Sequence, residues 1–107
     1  MTSKAVRYVG NPDFHDGYIR AVSQTENQVF VTVEGYSGMR YTVCFDGVSS
    51  VESYSPQDME VYGLTEADGE VQSDRRYEFV NSCFGEAEEE KSTSYLRIFA
   101  SKFSVGD

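Results

Sequence analysis

Histidine occurs once in this sequence, cysteine twice and tryptophan not at all, and nine basic residues stand against eighteen acidic ones. Each shortage excludes something. A single imidazole, His15, leaves one candidate for a histidine base, and a thiol nucleophile at Cys44 or Cys83 would depend on that same ring. The two cysteines are far apart and form no Cys-x-x-Cys pair, so neither a zinc knuckle nor a redox dithiol is indicated, and two free, inert thiols are expected. The only adjacent basic pair is Arg75-Arg76, which is too little clustered charge to grip a phosphate backbone; nucleic acid is not expected as a partner. No run approaches the ~20 apolar residues of a membrane span, and the first eight residues lack the apolar middle of a secretion signal. The chain therefore reads as cytoplasmic, with no membrane partner expected.

The charge that is present gives a formal net value of -9, so the surface field is negative. Such a field keeps a small protein soluble, and it also attracts basic proteins. The 107 residues fit one domain, 1–107, long enough to bury a core without disulfides. With 39% hydrophobic and 14% aromatic residues the composition is that of a globular chain rather than a disordered one.

Alternation is the strongest local signal. Val29, Val31 and Val33 fall on one face of an extended segment, and Met39, Tyr41, Val43 and Phe45 fall on one face of the next. A period of two is what a half-buried antiparallel sheet requires, because successive side chains point to opposite sides. The pair reads as a hairpin in which Val33 faces Met39, Val31 faces Tyr41 and Val29 faces Val43, with Tyr36 at the centre of its loop and Gly35 or Gly38 available for a positive φ. Further strands are expected near Val6–Val9, Tyr18–Ser23, Val48–Tyr54, Glu60–Thr65, Arg76–Cys83 and Tyr95–Phe103, punctuated by turn signals such as Asn11-Pro12-Asp13, Asp16-Gly17 and Asp46-Gly47. The last of these has apolar groups on both faces, which calls for a sandwiched central strand or a bulge that switches faces. The fold class is thus all-β: a single antiparallel sandwich or rolled barrel of about six to eight strands, with at most one or two short helical turns. Glu86–Lys91 has helix formers but no apolar stripe, and reads as an acidic loop or a short helix.

Little in the sequence carries chemistry. His15 beside Asp16 gives a candidate base and orienter, although neighbours on a strand point apart; the plainer reading is a turn histidine bonded to a backbone carbonyl. Glu86, Glu88, Glu89 and Glu90 are the densest oxygen cluster, but they lack the spacing of a calcium loop and read as solvated charge; no metal and no cofactor are expected. Gly35-Tyr36-Ser37-Gly38 is a hairpin turn rather than a phosphate-cradling loop, and no Gly-x-Ser-x-Gly elbow occurs. Eight Tyr and seven Phe are explained largely by cross-strand pairing. Tyr36, at the loop tip, lacks a structural role and is a candidate contact.

Phe14-His15-Asp16-Gly17-Tyr18-Ile19, followed by the hairpin ending in Phe45-Asp46-Gly47-Val48, resembles the opening of small uncharacterised bacterial β-rich domains. Some of these are similar to immunity proteins encoded beside secreted toxins. The resemblance covers the first half of the chain; it implies a bacterial origin and a binding role, and no catalytic residue. The reading that follows is a non-catalytic protein-binding module, of the immunity or inhibitor type, that meets a basic protein through Tyr36 and the run Glu86, Glu88, Glu89 and Glu90. The alternatives are a small hydrolase-like enzyme using His15 and Asp16, and a β-barrel holding a small ligand.

Overall fold

The computed structural model describes residues 6–53, 56–68, 75–80 and 94–106. They form ten strands: β1 Val6–Val9, β2 Gly17–Gln24, β3 Gln28–Glu34, β4 Arg40–Asp46, β5 Ser50–Ser53, β6 Glu60–Val61, β7 Gly63–Asp68, β8 Arg75–Val80, β9 Ser94–Ala100 and β10 Lys102–Gly106. One 3-10 turn, Pro12–Phe14, lies between β1 and β2. The strands make two five-stranded antiparallel sheets, ordered β1-β7-β8-β9-β5 and β10-β4-β3-β2-β6. The fold is all-β, and among the described residues no helix is long and apolar enough to cross a membrane.

The strand count exceeds the expected six to eight because two extended segments each turn a corner. Glu60–Thr65 divides at Tyr62, where β6 pairs with β2 in the second sheet and β7 continues between β1 and β8 in the first. Tyr95–Phe103 divides at Ser101: β9 lies in the first sheet and β10 at the edge of the second. The corner accounts for Phe103. Leu96, Ile98 and Ala100 point inward from β9, and one irregular residue resets the alternation so that Phe103 packs on the core from β10.

The β3–β4 hairpin keeps the expected parity but slips by two residues. Val33 faces Tyr41, Val31 faces Val43 and Val29 faces Phe45, so the loop is centred on Ser37 rather than Tyr36. Two backbone bonds decide it. Gly35 N–H donates to the Met39 carbonyl at 2.7 Å and Gly38 N–H to the Gly35 carbonyl at 2.9 Å, with Gly38 at φ +91. A left-handed backbone suits glycine, and here it lets the chain turn about Ser37 so that pairing resumes with Arg40 opposite Glu34. Met39, expected on the inner face, is 54% exposed as a consequence.

Both sheets bury their facing sides in one core. Val31, Val33, Val43 and Phe45 come from the second sheet, and Leu64, Tyr77, Phe79, Leu96 and Ile98 from the first. Phe45 sits at the centre, its ring 5.1 Å from Tyr77 and 6.2 Å from Phe79 and Phe103. Two buried carboxylates are neutralised by neighbours. Glu66 pairs with Arg7 and accepts from the Tyr77 hydroxyl. Glu78 receives Arg76 at 2.8 Å and Arg97 at 3.4 Å, and Arg97 also reaches Glu52 at 2.8 Å.

Candidate functional site

The segment Asn11–Asp16 is built as a compact turn against one end of the sandwich. The Asn11 side chain accepts from Asp13 N–H at 2.8 Å, and Pro12 suits the first helical position because it has no donor to satisfy there. Phe14 anchors the turn: it is 1% exposed, with its ring edge-on to Tyr41 at 5.5 Å. With Phe14 inside, the following residues emerge into solvent. Asp16 N–H donates to the Val61 carbonyl at 2.9 Å, which ties the turn to the corner between β6 and β7.

That corner receives His15. Its Nδ1 lies 3.0 Å from the Tyr62 carbonyl oxygen, which can only accept, so Nδ1 carries the proton and donates. In the neutral ring Nε2 is then the acceptor. Asp16 Oδ2 stands 3.7 Å from Nε2, beyond hydrogen-bond reach. The left-handed backbone of Asp16 (φ +65) breaks the strand alternation that would have sent the two side chains apart. The His15 ring also sits edge-on to Tyr62 at 4.6 Å, and Tyr62 in turn meets Tyr8 at 5.8 Å.

Two hollows share His15 and Pro12 in their lining. Tyr8, Tyr62, Phe14 and Leu64 also line the first, a cleft of about 370 Å³. Asp13, Asp16 and Tyr36 also line the second, of about 290 Å³.

Asp13 joins the turn to the hairpin tip. Its Oδ1 accepts from Ser37 N–H at 3.0 Å, and its Oδ2 accepts from the Ser37 hydroxyl at 2.5 Å and the Tyr41 hydroxyl at 3.0 Å. Tyr36 N–H donates to the Asp13 carbonyl at 2.9 Å. Gly35 permits this approach, since a Cβ there would run into the Asp13 carboxylate and carbonyl oxygen. The Ser37 hydroxyl bond, supported by Ser37 N–H and the Tyr41 hydroxyl, holds the Asp13 carboxyl below the usual carboxylate value against the opposing effect of desolvation.

The residues singled out in the sequence are partly brought together. His15, Asp16 and Tyr36 share one hollow, and Tyr36 is 77% exposed at the tip. Glu86, Glu88, Glu89 and Glu90, with Cys83 and the Glu86–Lys91 segment, lie outside the described residues. Cys44 is half-buried on β4 near Gln28 and Asp46; burial, then the Asp46 charge, raises its thiol pKa and disfavours the thiolate. Among the described residues no group of three His, Cys, Asp or Glu side chains could hold a metal ion. Sequence reasoning missed Asp13, Tyr8 and Met39. The Asn11-Pro12-Asp13 turn was a signal for the first, but its bonds to Ser37, 24 residues away, have no local trace.

Comparison with protein-family models, curated proteins and solved structures finds no match.

Proposed function

We propose that the protein is a non-catalytic protein-binding module of the immunity or inhibitor type, acting in the cytoplasm of a bacterium on a basic partner. The observation that carries this reading is the hairpin tip. Tyr36 and Met39, 77% and 54% exposed, are presented on a loop that Asp13 fixes by three hydrogen bonds, with a fourth to Tyr41 on β4, so a large apolar contact is held out without the usual ordering cost. The net charge of -9 supports a basic partner, and the run Glu86–Glu90 adds to that field. An interior ligand draws no support, since the rings of Phe45, Tyr77, Phe79 and Phe103 pack against one another between the sheets.

One observation favours an enzyme instead: His15, Asp13 and Asp16 line the same hollow. Against it, the His15 ring's hydrogen bond goes to a backbone carbonyl, and Asp16, the expected orienter, stands 3.7 Å from Nε2, beyond hydrogen-bond reach.

Affinity capture from the source cell, run with the native protein beside a Y36A/M39A variant of unchanged circular dichroism, tests the binding role. The expected result is a partner retained at low salt, weakened at high salt and lost with the variant. Capture of the same proteins by both forms would sink the reading.

A further inference from the structure

His15 and Pro12 stand in the lining of two hollows. One is aromatic and apolar, with Tyr8, Tyr62, Phe14 and Leu64; the other is acidic, with Asp13 and Asp16 beside Tyr36. At about 370 and 290 Å³ the two lie near the lower end of the roughly 300–1,000 Å³ range of ligand sites. We infer that an extended segment of a protein partner crosses His15, placing an apolar side chain against Tyr8 and Tyr62 and a Lys or Arg side chain between Asp13, Asp16 and Tyr36.

Three features support this occupant. Residues i and i+2 of an extended chain point the same way, about 7 Å apart, so one extended segment can offer two side chains to neighbouring hollows. Tyr8 and His15 both stand steeply to the Tyr62 ring, at 62° and 82°, so the cleft offers ring surface on more than one side of an apolar group. Asp13 and Asp16 put two negative charges in the lining of the second hollow beside Tyr36, a combination that favours a cation electrostatically. Asp13 is already fixed by Ser37 and Tyr41, and Asp16 is half-exposed and near the ring, so little has to reorganise on binding.

This inference rests on the proposed binding role, and its test separates the two. The probes are the peptide acetyl-Gly-Leu-Gly-Arg-Gly-amide and its counterpart with uncharged citrulline for arginine, titrated by NMR and calorimetry. The arginine peptide is expected to saturate at about 1 mM, shifting signals of Tyr8, His15 and Asp16, and to bind several-fold more tightly than the citrulline peptide. D16N, whose asparagine tolerates the left-handed backbone, should weaken the arginine peptide about fivefold and narrow its advantage over citrulline. Y8A, at a 48% exposed position, should weaken both peptides about tenfold and leave that advantage intact. Equal affinity for the two peptides, shifts confined to other surfaces, or no binding would overturn the inference. If natural-partner capture still depends on Tyr36 and Met39 in that event, the binding role stands and this docking mode falls.

Discussion

The middle of the β3–β4 hairpin and its tip are continuous in the same two strands, yet different forces hold them. In the middle, Val31, Val43 and Phe45 are sealed between the sheets, and solvent exclusion fixes the pairing. At the tip, Tyr36 and Met39 stand in water, and the loop is shaped by polar bonds from Asp13, a residue of another segment. The lesson is a division of labour within one hairpin. Burial sets which residues pair, and a few directed hydrogen bonds set where the exposed groups point. Variants in the two regions should therefore fail in different ways.

The largest effect belongs to the core. Phe45→Ala removes a fully buried ring that touches Tyr77, Phe79 and Phe103, and should cost about 3–5 kcal/mol of unfolding free energy, read from a denaturant titration. A loss below 1 kcal/mol would mean that the sheets do not pack around this residue.

Tyr77 marks the boundary between apolar core and paired charge. Its hydroxyl is buried and bonded to Glu66, and desolvation first, then the Glu66 carboxylate, push its pKa well above the ordinary 10. The raised folded value fixes the sign. The unfolded chain loses this proton first, so the stabilisation is complete below pH 10 and disappears as pH rises from there towards the folded pKa. Tyr77→Phe should cost about 1–2 kcal/mol at neutral pH and flatten the alkaline limb of the stability profile. An unchanged alkaline limb in this variant would show that the hydroxyl is solvated.

These contrasts also show how far the sequence could be read. Alternation in Val29–Phe45 gave the strands, the inward face and the all-β class, with sandwich and rolled barrel both open, because burial acts on every second residue and leaves a periodic trace. The register was two residues off, since the Gly35–Met39 bond is decided by backbone geometry that alternation does not record. Corners at Tyr62 and Ser101 were read as continuous strands for the same reason. At the site, His15, Asp16 and Tyr36 were visible as residues. Their meeting was not, because the Tyr62 carbonyl that orients His15 lies 47 residues away.

Asp13 should act locally rather than globally. Asp13→Asn weakens the bonds that shape the tip, so amide exchange at Ser37 and Tyr36 should quicken while exchange at Val31 and Val43 stays slow. The depressed carboxyl pKa makes this contribution complete above the ordinary value of 3.8 and lost as pH falls through the lower folded value. Native-protein exchange at Ser37 should accordingly keep its protection through pH 4 and lose it below, relative to Val31. Equal behaviour of tip and middle across that range would erase the distinction between them.

The smallest expected effect on stability is also the most telling for function. Tyr36 has 77% of its surface in water, and the bond that its backbone N–H makes to the Asp13 carbonyl does not depend on its side chain. Truncating it to Ala should therefore shift unfolding by less than about 0.5 kcal/mol, because neither buried area nor a hydrogen bond is lost. Under the proposed binding role, an aromatic group that contributes little to the fold and is held out by a fixed loop serves a contact outside the molecule. The prediction joins two measurements on one variant: an unchanged denaturation midpoint and a lost partner. If Tyr36→Ala instead lowered the midpoint as the core variants do, the tip would belong to the packing of the protein, and the case for Tyr36 as a contact would go with it.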